Sequence, residues 1–521
     1  MKVRTGKSSN INQLDKVKKS SLIVGDISPF NAKNIAMTLL VVIISACSAP
    51  SGLSDNKAKN IIAENAPSQW QASKVQLTTE STVADGWLQS FNDNALEQMI
   101  AHALAHNFQL NADRFEVELA KERLKVSAAT DFPELSLSLN NSRRKQVTAS
   151  TASYQSSADI SVDLRYELDL WGKLSAQQKQ NSLNYAAAKA NFQQNQLNLV
   201  INISRAWFDL IQAQQLLHLY QERADNLQRN LAMIQSSYQL GLNDALDVYL
   251  TKNSVNQELA RVAQQQQTLQ VSSRALELLL GDYPLAKIAS QQNLPLINDE
   301  IKLGLPAQLI TRRADIQANW LALLALDAGL AVAHKQRFPS FNLTASVSDN
   351  DNELSNLLDS GALAWSLIGS ITSPLFNAGR LESLEQQAKI MVQQKEQQYL
   401  QQVYQAFADV ENSISERDSL NQRYGHYVTA QENALAAEKL SFDQYLRGLV
   451  TYTTVLESQR RSFDAQTTVI QLTHQLLQNR IEIYRALGGN YLNNPNYAQQ
   501  ENQHKNSLLQ ASSTHHISMD K

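Results

Sequence analysis

Residues Ala158 to Leu170 read ADISVDLRYELDL. Ile160, Val162, Leu164, Tyr166, Leu168 and Leu170 fall on one side, and Asp159, Ser161, Asp163, Arg165, Glu167 and Asp169 on the other. Alternation this strict is the period of a β-strand with one apolar and one polar face. At ~3.3 Å per residue the segment spans roughly 43 Å, well beyond a typical globular strand. Tilted, it is ample for the apolar band of an outer-membrane barrel, about 25 Å tall. After Trp171-Gly172-Lys173 the period changes, and the chain runs from Lys173 to Leu240 without one Gly or Pro. Any fold for this chain must join a membrane-length strand to a very long helix.

The composition fits that demand. Only 16 Gly and 10 Pro occur in 521 residues, which favours long uninterrupted helices over a loop-rich enzyme. The net charge of −3 leaves no basic field for nucleic acid. Mean hydropathy is −0.34, and the body shows no clean apolar run of membrane-helix length. A β-barrel remains open, because alternating strands hide from hydropathy scans.

The single cysteine, Cys47, excludes an internal disulfide. It follows AMTLLVVIISA at Ala36 to Ala46, an apolar core of signal-peptide length ending in small residues. Ile44-Ser45-Ala46-Cys47 resembles a bacterial lipobox, in which the thiol is acylated and becomes the mature N-terminus; Ser48 fits delivery to the outer membrane. The alternative is a short buried segment with a chance Cys. Residues 1–46 are thus expected to be a signal peptide with an over-long start, although a start at Met37 would leave no positive n-region, and 47–90 a lipid-anchored polar tether that wraps on something else.

Further on, a helix is expected from Asn94 to Ala129, closed by Phe132-Pro133. A strand follows from Glu134 to about Asn140, then a polar loop, SRRKQVTASTASYQSS, leads into the opening strand. The long helix carries Leu199, Ile203, Ala206, Leu210, Ala213, Leu217, Tyr220, Ala224, Leu227, Leu231, Ile234 and Tyr238, spaced four and three in turn. That mean spacing, about 3.5 residues, marks a coiled-coil seam. Gly241 interrupts it, and a second Gly- and Pro-free run continues from Leu242 to Leu280, making a helical hairpin.

The chain then repeats itself. Phe338-Pro339 echoes Phe132-Pro133, Tyr445 echoes Tyr238, Gly448 echoes Gly241, Val455 echoes Val248 and Leu487-Gly488 echoes Leu280-Gly281, all at an offset of 206 to 207 residues. Strands are expected around Phe341 to Val347 and from Gly361 to Pro374, separated by the acidic loop SDNDNELSN, and the second helical stripe is less regular. The expected domains are a first repeat at 91–290, a second at 291–490 and a disordered polar tail at 491–521. Four membrane-length strands cannot close a barrel, and an open edge cannot sit in lipid, so several chains must pool strands.

The motifs YELDLWGKL at Tyr166 to Leu174, LPAQLITRRADI at Leu305 to Ile316, FPSFNL at Phe338 to Leu343, PLFNAGRL at Pro374 to Leu381 and YLRGLVTYTTVLESQR at Tyr445 to Arg460 resemble those of the TolC-like outer-membrane efflux proteins, in the acylated NodT-type branch. The resemblance covers roughly Trp87 to Asn490. It implies a mixed α+β membrane protein: a homotrimer with a 12-stranded outer-membrane β-barrel, four strands per chain, continuing into a long periplasmic α-helical coiled-coil barrel. It also implies the exit duct of a tripartite efflux system, passively conducting small toxic compounds or drugs. The partners would be a periplasmic adaptor (membrane fusion) protein, an inner-membrane efflux transporter and outer-membrane lipid. No enzyme activity and no cofactor beyond a lipid on Cys47 are expected. Alternatives are a type I protein-secretion duct of the same fold, or a periplasmic structural coiled-coil lipoprotein, in which four amphipathic membrane-length strands would have no use.

The resemblance also assigns candidate sites. Gly241, Leu242, Gly448 and Leu449 would form the periplasmic tips that meet the adaptor; ordinary helix C-caps would explain the glycines equally. Asp247 and Tyr445 match positions that bond across neighbouring coils near a closed tip, although Val450 stands where some members carry Arg. Thr454 and Glu457 match a pair of inward aspartates, and a threefold Glu457 ring would favour cations. Each could instead be an ordinary seam or solvated helix residue. His102 and His106 share a helix face without a third ligand, so no metal is expected there.

Overall fold

In the computed structural model, the residues described are 67–73, 85–148, 151–242, 244–290, 293–297, 300–359 and 363–491. Cys47, the signal-peptide core and residues 492–521 lie outside them.

Two hairpins make one antiparallel sheet, in the order β1 (Glu134–Thr148), β2 (Thr151–Leu168), β3 (Ser340–Asp351) and β4 (Ala364–Thr372). The registers carry the sequence alternation across all four strands. Leu137 lies opposite Val162, Val162 opposite Val347, and Val347 opposite Trp365. One row along, Ser136, Asp163, Ser346 and Ser366 align on the other face. The sheet therefore has an apolar and a polar side. The chain leaves the apolar side bare: Leu137 is 70%, Trp365 78% and Leu367 62% exposed. In water that uncovered area would be costly, so this side needs lipid.

The strands differ from expectation in extent. The polar stretch after Asn140 is not a loop: β1 runs to Thr148 and β2 begins at Thr151. It projects past the apolar band, so it needs no apolar alternation, and the ladder hydrogen bonds hold it without one. Likewise β3 runs into the acidic segment, to Asp351, and β4 is shorter than expected.

The helices are α1 (Asn94–His106), α2 (Phe108–Ala129), α3 (Lys173–Gln239), α4 (Ala245–Leu280), α5 (Pro306–Arg312), α6 (Ala314–Lys335), α7 (Arg380–Leu446) and α8 (Tyr452–Ala486). Around the two hairpins the same order occurs twice: two helices, two strands, a very long helix, a shorter one. The long helices α3 and α7 each have 67 residues, roughly 100 Å at 1.5 Å per residue. The expected helix over Asn94 to Ala129 is broken at Asn107, which closes α1 and caps α2 by accepting from Leu110 N at 2.9 Å. Its amide also donates to the Leu279 carbonyl at 2.8 Å, so the break docks on the end of α4.

Of the seam residues in α3, Leu199, Ile203, Leu210, Ala213, Leu217, Ala224, Leu227 and Ile234 are buried. Tyr238, at the end of the stripe, is 48% exposed. Midway along α3 the single stripe gives way to burial on several sides, at Val200, Ile201, Trp207, Phe208 and Ile211. There α6, α7 and α8 close in with Leu323, Val403, Val410 and Ile481. Helix α6 corrects one expectation: it is long and apolar enough to cross a membrane. It packs instead between α3 and α7 with Ile316, Leu323 and Leu330 buried.

The RRADI motif is a clamp. Arg313, 7% exposed, binds Asp315 through Nε and Nη2 at 3.0 and 2.8 Å and reaches Asp409 of α7 at 3.5 Å. Arg485 of α8 meets the same Asp409 at 3.2 Å. Those bonds pull the Asp315 carboxyl below its ordinary value although burial opposes them. Near the N-terminus, buried Trp70 donates to the Gly304 carbonyl at 3.0 Å. Trp87 donates to the Gly489 carbonyl at 3.2 Å and stacks on Tyr484 with ring centroids 5.6 Å apart.

Candidate functional site: the helical tips

The two helical hairpins end in matched turns. Gly241 and Gly448 both have φ of +72°, and an added Cβ at either would meet nothing within 4 Å. Backbone conformation, not space, explains the glycines. Leu242 N donates to the Ser237 carbonyl and Leu449 N to the Gln444 carbonyl, each at 2.9 Å. These are the six-to-one bonds of a Schellman stop. The same turns push Leu240 and Leu242, and Leu446 and Leu449, out to between 58% and 75% exposure. Leucines held so open by a satisfied backbone form an apolar contact surface at the end of each hairpin.

Behind the tips a small core draws on all four long helices. Ile234 of α3, Val248 of α4, and Tyr452 and Val455 of α8 are buried, with Phe442 and Tyr445 of α7 packed against them. The Tyr445 and Tyr452 rings lie 5.2 Å apart. Asp247 sits in the first turn of α4, half-buried. Burial pushes its carboxyl above the ordinary value, and Asp244 beside it adds to the push. The Asp247 carbonyl accepts from the Thr251 hydroxyl at 2.6 Å. Burial, Tyr445 and Asp247 raise the Tyr452 hydroxyl, against an opposing contribution from Thr251. Asp247 and Tyr445 therefore share one cluster, and Tyr452 stands between them as a member that sequence reading missed. The repeat offset flagged Val248 and Val455, both of which are in this core. It could not flag Tyr452, whose counterpart in the first repeat is Ala245.

In the first turns of α8, Thr454 is exposed and Glu457 half-exposed. The Thr454 hydroxyl lies 3.3 Å from that of Thr451. Glu457 is held by two arginines of its own helix, Arg460 at 2.9 Å and Arg461 at 2.8 Å. Their hydrogen bonds hold its carboxyl down to about 2. Glu457 is thus a paired carboxylate rather than a free one. Farther from the tips, Glu258 of α4 is 2% exposed and lies 3.2 Å from Arg223 of α3, whose guanidinium covers Phe463 of α8 at 4.0 Å. Arg261, one turn on in α4, lies 3.5 Å from the same carboxylate, but Arg223 and Phe463 are far from Glu258 in sequence, so no local motif announces the whole group. His102, by contrast, meets Asp282 at 3.2 Å, and His106 Nδ1 lies 2.9 Å from the His102 carbonyl.

At the other end of the helices, Trp171 Nε1 donates to the Pro339 carbonyl at 2.6 Å and its ring meets Phe338 and Phe341. Lys335 Nζ donates to the Gly172 carbonyl at 3.0 Å. This joint ties strand-to-helix crossings of both hairpins together, so sheet and coils form one conduit wall.

A four-stranded sheet with one lipid-seeking face and two open edges, running into coils of this length, defines an outer-membrane channel assembled from several chains. The chain belongs to the outer membrane efflux protein family, which matches residues 99–282 and 305–489. It is 29% identical over 438 residues to the probable outer membrane lipoprotein SilC of Salmonella typhimurium, covering 82% of this chain and 93% of that protein. It is 30% identical over 414 residues to the solvent efflux pump outer membrane protein SrpC of Pseudomonas putida, covering 77% and 86%. Among solved structures, CusC superposes with a TM-score of 0.73 at 26% identity, covering 81% of this chain and 96% of that one. The protein is an outer-membrane efflux channel of the trimeric fold, four strands per chain in a twelve-stranded barrel.

Proposed function

We propose that this channel is the passive exit duct for small toxic compounds, docked through its tips to a periplasmic adaptor and through that to an inner-membrane transporter. The observation that carries the reading is the pair of tips, where Schellman turns hold Leu240, Leu242, Leu446 and Leu449 open. An adaptor with a complementary apolar groove would bury them, with Gly241, Leu242, Gly448 and Leu449 as the contact points. Site-directed cross-linking from Leu242 and Leu449 tests this; capture of no periplasmic partner in cells expressing the cognate pump would overturn it.

The cluster of Asp247, Tyr445 and Tyr452 is the closing device in this reading. Loosening it by Asp247→Ala with Tyr445→Phe raises single-channel conductance in planar bilayers. Equal conductance in parent and variant would remove these residues from the gate. Val450 leaves this tip without the charged latch of some relatives, so closure rests on packing and hydrogen bonds. A threefold ring at Glu457 would carry Arg460 and Arg461 with it, and thus both signs rather than bare carboxylates. Thr454 would line the same entrance. The relatives are named for cation efflux and for solvent efflux on one fold, which suits a duct whose cargo is chosen by the pump. The chain itself does no chemistry in this account. A lipid on Cys47 would anchor it, and the mass of the mature N-terminus tests that separately.

A further inference from the structure

The β1–β2 hairpin continues past its neighbours. β3 ends opposite Ala158 at Asp351, whereas β1 and β2 stay paired out to Thr148 and Thr151. Strand alternation keeps Leu135, Leu137, Leu139, Asn141, Arg143, Lys145 and Val147 on one face, the lipid-facing one. Arg144 lies on the opposite face. Lys145 pairs with Tyr154 in register, and both Arg143 and Lys145 lie over the Tyr154 ring, at 5.2 and 5.6 Å from its centroid. At ~3.4 Å per residue Arg143 lies roughly 13 Å along the strand beyond Leu139, and Lys145 roughly 20 Å. Tilted by about 40°, they stand some 10 to 15 Å above the apolar band, at and just beyond headgroup level.

We propose that Arg143, Lys145 and Tyr154 form a surface on the outside of the barrel that binds the phosphate groups of an outer-leaflet glycolipid. Three things favour this occupant. The face is continuous with the apolar band, so a lipid whose chains lie on Leu135 to Leu139 brings its headgroup to the two cations. Register places no acidic residue opposite them: Asn141, Arg143, Lys145 and Val147 face Ala158, Ser156, Tyr154 and Ala152. The nearest acids on this face, Asp349 and Asp351, stand in the rows of Leu139 and Asn141, short of Arg143 along the strand, and their carboxylates are turned onto groups of their own segment and loop. Asp349 accepts from Asn350 N at 2.9 Å and Leu358 N at 2.7 Å, and Asp351 from Glu353 N at 3.0 Å and Asn356 Nδ2 at 3.1 Å. An aromatic ring beneath cations at the interface is a headgroup-level arrangement, and two basic groups here attract anionic headgroups.

The test uses the full-length channel in nanodiscs, probed with diphosphorylated lipid A and with the same lipid after enzymatic dephosphorylation, read by native mass spectrometry. The parent protein should retain the phosphorylated form at least about tenfold better. The double variant Arg143→Gln with Lys145→Gln should lose that preference, while Arg144→Gln, one residue away on the opposite face, should keep it. Equal retention of the two lipids by the parent would overturn the proposal, as would an equal loss in Arg144→Gln. Displacement of lipid A by inorganic phosphate at matched phosphate concentration would mark a free-anion site and overturn the lipid assignment. The comparison of lipids on the parent protein decides the matter even if the double variant fails to assemble.

Discussion

Gly448 and Gly281 both sit at positive φ, +72° and +85°, yet replacement should cost differently. At Gly448 a Cβ meets nothing within 4 Å, so Gly448→Ala pays only the left-handed backbone, about 1 to 2 kcal/mol. At Gly281 the Cβ would come within 2.6 Å of the His106 carbonyl oxygen and force the α1–α2 break away from α4. Hydrogen exchange should show Gly448→Ala fraying the tip alone, and Gly281→Ala loosening α1 and α4 together. Asp247 has a pH dependence of definite sign. Its carboxyl is raised above 3.8 in the packed tip, first by burial and then by Asp244, so the charged form opposes packing. That penalty is fully present above the raised value and fades as pH falls from there to the ordinary 3.8. Protection factors at the first turn of α4, with the intrinsic pH dependence of exchange divided out, should rise on acidification through that window, and Asp247→Asn should abolish the rise. Glu457 titrates in the opposite sense. Its clamp by Arg460 and Arg461 contributes fully above the ordinary 4.5 and is lost as pH falls from there through about 2, so the comparison with Asp247→Asn is what isolates the Asp247 effect.

The elements are held together by side chains from outside them. Trp87 is 1% exposed, stacks on Tyr484 and donates to the Gly489 carbonyl, fastening the N-terminal segment to the end of α8. Trp87→Ala should cost about 3 to 5 kcal/mol. Thermal unfolding of the assembled protein would read this as a large drop in midpoint, with Trp87→Phe intermediate because it keeps the stack and loses the hydrogen bond. Sequence reading reached the elements unevenly, for physical reasons. The apolar half of each strand was legible because lipid on one side and water on the other impose alternation, as at Ile160 to Leu168. The outer half of the β1–β2 hairpin was not, because it lies beyond the hydrocarbon, where both faces are polar and Arg143 to Tyr154 need no apolar alternation. The α3 seam was legible where α3 packs along one stripe, and blurred near Val200 to Ile211 where neighbours press from several sides. Asn107 hid its break because a capping Asn inside an apolar-periodic stretch also reads as a surface helix residue. At the tips the repeat offset revealed Val248 and Val455, whereas Tyr452 and the Glu258–Arg223 pair depend on contacts that no single stretch contains.

At the scale of the molecule, the sheet explains why one chain is not a channel. β1 and β4 each present an unpaired edge, and lipid offers those backbone groups no hydrogen bonds. Closure requires β4 of one chain to pair with β1 of the next, three times around. The registers suit this, because rows such as Leu135–Leu164–Ala345–Leu367 deliver apolar side chains to the same face at both edges. The edge pairing is therefore the place where a single backbone change should act on assembly rather than on the coils. Leu367→Pro removes one donor in the middle of β4 and distorts the strand that forms the seam, in each of three chains. The helical core around Phe208, Leu323, Val410 and Ile481 lies far from that seam and is untouched. Helix content by circular dichroism should stay near the parent value, while the SDS-resistant trimer and all bilayer conductance disappear. Leu367→Val, which keeps both the donor and an apolar side chain toward lipid, should restore both. A Leu367→Pro protein that still ran as a stable trimer would mean that the coils alone hold the three chains together, and that barrel closure follows assembly instead of driving it.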